Sequence, residues 1–263
     1  MDKRSTQQKQ GKLTDAEIKV LVKDWHEQRR EGDLNKEYNV DQLGEIPLER
    51  EDGTMIIMVC QMGGCMGKEV REIKMSTTAK LIQKYDVNLV ACTELNFNWS
   101  KVNSSANLAS WLHQEERETR SITAHNTQEQ DAISSRHQPG GTGMICRSEF
   151  IQYARKASAD PRGLGRWCSW QFFCNPNHVS RIAVAYRTCR SKAKGLRTIY
   201  QQQLRYIQAY GINCSPVELF DRDLAKQIKE WRKSGERIVL VMDVNDHPLT
   251  ASSTNSYKKS KRA

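Results

Sequence analysis

The sequence lacks any long apolar run, and this absence argues against a membrane-spanning helix. No stretch approaches the ~18 consecutive apolar residues that such a helix requires. Residues 1–12 are polar throughout and lack the apolar core of a secretory signal sequence. An internal repeat is also lacking, so repeat architectures are not indicated. We therefore expect a protein without a membrane partner.

The eight cysteines include no Cys-x-x-Cys pair. Structural zinc sites usually show paired Cys and His residues at short spacing, so the pattern argues against such a site. Cys60, Cys92 and Cys146 fall inside apolar, strand-like runs, where a thiol usually packs as a small hydrophobic side chain. We predict buried, reduced thiols and a reducing intracellular compartment, nucleus or cytoplasm.

Acidic residues are scarce at the two ends of the chain, which explains most of its net charge of +10. Residues 1–12 hold four basic residues against one acidic residue, and residues 251–263 hold four basic residues and no acidic one. The rest of the chain therefore carries only +3, which is ordinary for a folded domain. Basic tails can recruit a polyanion without specificity, so the charge supports nucleic-acid binding only weakly and does not separate DNA from RNA.

The length of 263 residues, with 38% hydrophobic and 27% charged residues, suits one α/β domain with appended segments. Thr14 and Glu17 have the spacing of a capping box, which predicts a helix beginning near Thr14. We expect four parts: a disordered basic tail (1–12), a helix-and-linker appendage (13–53), a folded domain (54–250) and a second basic tail (251–263).

Alternating strand and helix patterns begin at residue 54. Apolar runs of strand length predict buried strands at 54–60, 87–92 and 237–243, and shorter β segments at 142–147, 167–173 and 180–186. Apolar residues at three- and four-residue steps predict a helix that ends near Tyr85 and further helices at 105–118, 196–210 and 216–233. Helices around apolar strands, together with a β-meander, predict a layered α/β sandwich.

Three of the predicted strands lead into polar or acidic residues. The first leads into Gln61, the second into Thr93 and Glu94, and the last into Asp243, with Asn245 two positions later. Ligand sites in open α/β folds gather at the carboxyl ends of strands. Carboxylate and amide oxygens are ligands that Mg²⁺ accepts, with water and substrate phosphate completing its shell. A single carboxylate after a strand is more often a cap or surface residue, so only the combination indicates a site.

The order of these motifs resembles the endonuclease/exonuclease/phosphatase family over about residues 54–249. That family opens with a strand leading into Asn-x-x-Gly, and CQMGG is similar, with Gln61 at the Asn position. Its second motif, an apolar strand ending Gln-Glu-Thr, resembles LVACTELNFNW, which contains Glu94. RIAVAYRTC resembles the family's middle strand that ends in Tyr, here Tyr186.

The last matching motif is MDVN, which resembles Gly-Asp-x-Asn and contains Asp243 and Asn245. QPGGTGMICR, GLGRW and the helix before MDVN also resemble the retroelement-type branch of the family. The resemblance implies a DNase I-like form of the layered α/β sandwich. We expect this fold to be incomplete at the C-terminus, because the family ends in a strand and loop carrying Ser-Asp-His, which this sequence lacks.

Two further departures from the family pattern affect the site. Gln61 stands in place of Asn, which keeps an amide and lengthens the side chain by one methylene. Met242 stands in place of Gly, and its side chain is expected to clash where the backbone passes close to the site. His247 lies next to MDVN, where a turn or surface role is the stronger reading and a substitute catalytic base the weaker one.

The resemblance implies a Mg²⁺- or Mn²⁺-dependent phosphodiesterase that cleaves nucleic acid, and DNA is the favoured substrate. It implies that Glu94 and Gln61 hold the metal and that Asp243 orients or activates the attacking water. It further implies that Asn245 and Tyr186 donate hydrogen bonds to the phosphoryl oxygens.

Other residues near these motifs are candidates for substrate contact. Arg187 and Arg190, in the basic run after Tyr186, are candidates for contact with nucleic acid, although such a run is usually a solvated loop. Trp167 and Trp170 face opposite sides of one strand, so at least one belongs to the core, and the other is a candidate for base stacking. A weak or inactive enzyme, a phosphatase on the same fold and a non-catalytic nucleic-acid-binding remnant are the alternatives.

Overall fold

The computed structural model describes residues 54–65, 67–103, 107–112, 118–129, 136–175, 178–192 and 195–245. The predicted tails and the predicted appendage at 13–53 lie outside the described residues, as does His247. No helix within the described ranges is long and apolar enough to cross a membrane.

The first sheet contains β1 (Ile57–Gln61), β2 (Leu89–Thr93), β3 (Thr119–Ala124) and β4 (Thr142–Arg147). Its strand order is β1-β2-β4-β3. β1 and β2 run parallel, in a register that places Gln61 beside Thr93, whereas β4 runs antiparallel to both of its neighbours. The carboxyl ends of β1 and β2 therefore lie side by side.

The second sheet contains β5 (Ala154–Ala159), β6 (Trp167–Asn175), β7 (His178–Tyr186) and β8 (Arg237–Asp243). These strands are paired in sequence order. β7 and β8 form a second parallel pair, in a register that places Tyr186 beside Asp243. In each sheet, the carboxyl ends of one parallel pair of strands thus carry polar residues.

Within the described ranges, three α-helices accompany the sheets: α1 (Lys68–Tyr85), α2 (Ile199–Ala209) and α3 (Pro216–Lys233). The predictions for α2 and α3 are confirmed. α3 begins at a capping box in which Ser215 and Glu218 bond each other's backbone N–H groups, with Pro216 in the first turn. Thr198 caps α2 by accepting from the Gln201 N–H.

The two sheets pack face to face, and helices cover their outer faces, so the predicted layered α/β sandwich is confirmed. α1 packs on the first sheet through a cluster that includes Met75, Ile82, Val90, Cys92 and Ile145. The cluster between the sheets includes Leu89, Ala91, Met144, Trp170, Ile182 and Val184. α3 packs on the second sheet through a cluster that includes Trp167, Ala183, Ala185, Phe220 and Trp231.

Two apolar runs that we predicted to be buried strands are edge strands in the described part of the chain. β1 and β8 each pair on one side only. Val59 lies on the same face of β1 as Ile57, toward the second sheet, yet 60% of it is exposed. Val239, on the same face of β8 as Val241, is 44% exposed. The run at 54–60 and the run at 237–243 therefore border the gap between the sheets instead of lying at its centre.

The predicted helix at 105–118 is wrong where the structure describes it. A short 3₁₀ turn occupies Ala109–Trp111, and Leu108 and Leu112 beside it are buried, so the apolar spacing reflects burial of one short turn. Strands β3 and β5 were not predicted. Their sequences, TRSITA and ARKASA, are short and polar because each strand lies at a sheet edge with much of its surface exposed.

Trp167 and Trp170 point to opposite faces of β6, as predicted, and each is 1% exposed. Neither ring is accessible to a nucleic-acid base, so the hypothesis of base stacking is wrong. Five cysteines are buried and free, as predicted, whereas Cys189 is exposed and Cys214 is half-buried. Burial raises the pKa of the Cys60 thiol to about 12, so this thiol stays protonated and unreactive.

A buried ion network connects the segment before β6 to α3. Arg166 is fully buried and donates to both carboxylate oxygens of Asp160, at 2.6 and 2.8 Å, and to Asp223 at 2.9 Å. Arg162 donates to the same Asp223 at 2.6 Å. Burial acts to raise the pKa of Asp223, but its bonds from the two arginines leave that pKa below the ordinary value. The network keeps every carboxylate in it paired.

Candidate functional site

The ends of the two parallel strand pairs meet across the gap between the sheets. The Tyr186 hydroxyl, at the end of β7, donates to Oε1 of Glu94, just after β2, at 2.8 Å. Nε2 of Gln61, at the end of β1, lies 3.5 Å from Oδ2 of Asp243, at the end of β8. The structure thus brings together Gln61, Glu94, Tyr186 and Asp243, which come from four different strands. The sequence predicted this grouping.

Tyr186 is 5% exposed and lies at the inner side of the site. Burial, followed by the negative charge of Glu94, raises the pKa of the Tyr186 hydroxyl well above its ordinary value, and a hydrogen bond with the Asn245 side chain partly offsets this. The hydroxyl therefore stays protonated and donates a hydrogen bond to Glu94. The other carboxylate oxygen of Glu94, Oε2, accepts no hydrogen bond from the described residues.

Asp243 and Asn245 form a tight turn at the end of β8. The Asn245 N–H donates to Oδ1 of Asp243 at 3.0 Å, and its side-chain Nδ2 donates to the Arg187 carbonyl at 2.7 Å. Asn245 has a φ of 47°, in the left-handed region that Asn tolerates better than most residues. Oδ2 of Asp243 consequently points toward Gln61, with Oδ1 held by the turn.

The two predicted substrate-binding arginines differ in their surroundings. Arg187 pairs with Asp221, at 3.0 Å between Nε and Oδ1, and also donates to the Val244 carbonyl at 3.3 Å. These contacts tie the end of β7 to α3 and to the segment after β8. Arg190 lies further along the same loop and is exposed, with no hydrogen bond to the grouped site residues. Hydrogen bonds from Ser215 lower the pKa of Glu218, and the positive charge of Arg190 adds a smaller effect in the same direction.

The expected clash of Met242 with the site is wrong. Side chains alternate along a strand, so Met242 points away from the face that carries Asp243 and Val241. Its side chain is 37% exposed and lies on the outer face of β8. A long side chain is therefore accommodated at this position without displacing Asp243.

Sequence reasoning missed Lys74, a buried lysine that supports the loop after β1. Its ammonium group donates to the carbonyls of Met62 and Gly64, both at 2.6 Å. Lys74 is 8% exposed and lies on the same face of α1 as Thr78 and Ile82, which pack inward. The sequence of α1 offers no clear indication, because its inward face carries Thr77 and Thr78 as well as apolar residues. The charge orders two carbonyls of the loop that follows Gln61.

We expect Lys74→Met to lower the free energy of unfolding by about 2–4 kcal/mol, because two carbonyls lose a charged donor and stay buried. Urea denaturation followed by circular dichroism measures this loss. Lys80→Met is the matched control, since Lys80 is exposed on the same helix and its replacement should change stability by less than about 0.5 kcal/mol. Equal losses in both variants would contradict the role given to Lys74.

The donor atoms at the site suit a hard divalent cation. Among the described residues, no group of three His, Cys, Asp or Glu side chains is close enough to hold a metal ion by itself. Mg²⁺ is commonly held by only one or two carboxylates, with water and substrate phosphate as the other ligands. Oε2 of Glu94 and Oδ2 of Asp243 are two such carboxylate oxygens, and the Gln61 amide adds a third oxygen donor when it is turned over.

Several solved structures are similar to this chain in fold. They include the human Nocturnin catalytic domain with bound sulfate, with a TM-score of 0.44 and 12% identity over 74% of this chain. A second is the 3′ phosphatase NExo from Neisseria bound to product DNA hairpin, with a TM-score of 0.47 and 12% identity over 75% of this chain. The chain spans 66% of the first structure and 60% of the second.

A third similar structure is an endonuclease/exonuclease/phosphatase family protein from Leptotrichia buccalis, with a TM-score of 0.42 and 10% identity. The match covers 79% of this chain and 74% of that one. No protein-family model matches the sequence, and no curated protein is significantly similar to it. Identities this low concern the fold alone, so the activity has to be argued from the site.

Proposed function

We propose that this chain is a divalent-cation-dependent phosphodiesterase that cleaves nucleic acid, with DNA as the first substrate to test, in the manner of retroelement endonucleases. One observation carries the proposal: the Glu94 and Asp243 carboxylates, from different sheets, face a common edge where Gln61 and Tyr186 also end. Two carboxylates held on different sheets, one with a free oxygen and the other with an oxygen held, within the described residues, only by the long contact to Gln61, suit a phosphate ester and its counter-cation.

In this proposal Glu94 and Gln61 would hold the cation, and Asp243 acts on the attacking water. The cation would supply positive charge opposite the scissile phosphate. Oδ2 of Asp243 accepts a proton from water, while Oδ1 stays bonded to the Asn245 N–H, which fixes the carboxylate plane. The exposed Arg190 contributes positive charge to the approach of a polyanion.

The geometry assigns Tyr186 and Asn245 an orienting role in place of direct contact with the phosphate. The Tyr186 hydroxyl has one hydrogen to donate, and its hydrogen bond goes to Glu94. The Asn245 amide donates to the Arg187 carbonyl and lies close enough to the Tyr186 hydroxyl to lower its pKa. Asn245 thus adjoins Tyr186, which in turn bonds Glu94. We propose that this arrangement sets the direction of the Glu94 carboxylate.

The proposal is tested by nicking of supercoiled plasmid with the purified chain, in Mg²⁺ and in EDTA. We expect nicking in Mg²⁺ and none in EDTA. Glu94→Gln keeps an acceptor for Tyr186 and removes the charge, and it should lower the nicking rate at least about tenfold. A tenfold loss corresponds to ~1.4 kcal/mol. Glu72→Gln, an exposed change of the same kind on α1, should nick at the wild-type rate.

Three other outcomes would overturn the proposal. Nicking that survives both EDTA and Glu94→Gln would indicate a contaminating nuclease. Hydrolysis of a soluble phosphomonoester without plasmid nicking would indicate a phosphatase on the same fold. Binding of an oligonucleotide that weakens steeply with salt, survives loss of the carboxylates and comes without cleavage would indicate a nucleic-acid-binding protein.

A further inference from the structure

Asn96 lies two residues after Glu94, in a turn whose backbone is unusual. Glu94 has a φ of 53° and Asn96 a φ of 49°, so two residues other than glycine occupy the left-handed region on either side of Leu95. Leu95 is fully buried, which anchors the middle of the turn. Left-handed backbone in such residues costs free energy and persists only where the surrounding structure holds it. The contacts of Asn96 show what holds this turn.

Asn96 bonds Gly140 twice, once through its backbone and once through its side chain. The Asn96 N–H donates to the Gly140 carbonyl at 2.8 Å, and the Asn96 Oδ1 accepts from the Gly140 N–H at 2.6 Å. The Gln138 N–H also reaches the Asn96 carbonyl, at 3.4 Å. The segment Gln138–Gly141 is thereby fixed against the end of β2.

The opposite side of the turn is held by the loop after β1. The Gly64 N–H donates to the Glu94 carbonyl at 2.8 Å, and the Cys65 N–H donates to the Leu95 carbonyl at 3.0 Å. A Cβ on Gly64 would lie 3.4 Å from the Asn96 Nδ2, so the side chain of Asn96 packs directly against this glycine. Asn96 therefore sits between two glycine loops and contacts both.

We propose that Asn96 is a positioning residue for Glu94, and this inference rests on the proposed function. The Glu94 side chain is held at its carboxylate by the Tyr186 hydroxyl and at its backbone by the hydrogen bonds of the turn. Asn96 supplies the side-chain bond that closes the turn onto Gly140. With both ends fixed, Oε2 points in one direction only, which is what a ligand to a cation requires.

Two substitutions separate this role from a general effect on folding. Asn96→Gly removes the side-chain bond and keeps the left-handed backbone, which glycine adopts without strain. Asn96→Asp keeps an oxygen that accepts from the Gly140 N–H and also tolerates this backbone. Amide hydrogen exchange followed by NMR and Mn²⁺ binding followed by electron paramagnetic resonance are measured on all three full-length proteins.

We expect Asn96→Gly to raise the exchange rates of both the Gly140 and the Gly64 amides at least tenfold. Gly140 loses its acceptor, whereas the Gly64 acceptor is the Glu94 carbonyl, which the substitution does not touch. Faster exchange at Gly64 thus reports disorder of the turn itself, and Ala91 in the centre of β2 should stay unchanged. Mn²⁺ affinity should fall about 10- to 100-fold, the usual effect of losing a residue that orients a ligand.

In the Asn96→Asp variant, the Gly64 amide should exchange at the wild-type rate. Faster exchange confined to Gly140 in Asn96→Gly, with unchanged Mn²⁺ affinity, would overturn the positioning role. Faster exchange at Ala91 as well would show a general loss of structure and would also overturn it. Wild-type protein that binds no Mn²⁺ would overturn the proposed function, and the Gly64 exchange rate would then decide by itself whether Asn96 orders the turn.

Discussion

Replacing Asp243 with asparagine is expected to lower the rate of Mg²⁺-dependent plasmid nicking by about 10²- to 10⁴-fold, the usual effect of losing a general base. The amide keeps the size of the side chain and an oxygen that accepts from the Asn245 N–H, so the turn after β8 is retained. It loses the ability to take a proton from water at Oδ2. Initial rates at saturating Mg²⁺ measure the effect.

Asp86→Asn is the matched control for this prediction. Asp86 lies at the C-terminal cap of α1, where its side chain is 56% exposed. The same chemical change is therefore made at an exposed aspartate that is not part of the grouped site residues. Nicking by Asp243→Asn at the rate of Asp86→Asn would remove Asp243 from the mechanism.

Replacing Arg166 with methionine is expected to lower the free energy of unfolding by about 3–5 kcal/mol. Asp160 is 5% exposed and loses its partner, so an uncompensated carboxylate stays buried. Asp223 keeps Arg162 and is less affected. Urea denaturation measures the loss, provided that the transition is two-state.

Arg222→Met tests whether burial causes the loss of stability. Arg222 also pairs with Asp223, at 3.8 Å, but its side chain is 55% exposed, and exposed pairs contribute about 0–1 kcal/mol. We expect the two arginines to differ by several-fold in their effect for this reason. Comparable losses in both variants would show that the buried network is no more important than a surface ion pair.

The grouping of site residues could be predicted because it depends on local sequence and on a general property of parallel strands. Apolar runs that end in Gln61, Glu94 or Asp243 show where strands stop, and the carboxyl ends of parallel strands lie at one edge. Tyr186 could be added only through the family resemblance, because nothing local separates it from another tyrosine at the end of a strand.

The positions of strands within the sheets could not be predicted, because they depend on pairings between distant segments. The runs containing Val59 and Val239 are as apolar as the buried run of β2, yet both are at sheet edges. ARKASA has little apolar character and nevertheless pairs with β6. An apolar run predicts that a strand buries side chains against another layer, and it does not predict how many strands pair with it.

The supporting residues of the site were missed for a different reason. Lys74 and Asn96 act through backbone carbonyls and amides of loops that lie far away in the sequence or have no regular structure. A polar residue reads the same in sequence whether it faces water or a carbonyl group. Only the paired glycines at positions 63–64 and 140–141 indicated that loops approach one another closely there.

The edge positions of β1 and β8 divide the site into two halves that differ in rigidity. Within the described residues, Glu94 and Tyr186 lie at the ends of strands with neighbours on both sides, whereas Gln61 and Asp243 end strands with a neighbour on one side only. Edge strands open by local fluctuations at lower free energy than central ones. Glu94 and Tyr186 are thus ordered by the sheets themselves, whereas Gln61 and Asp243 fluctuate with their edge strands. A ligand that binds across the gap between the sheets therefore also determines how well Gln61 and Asp243 are ordered.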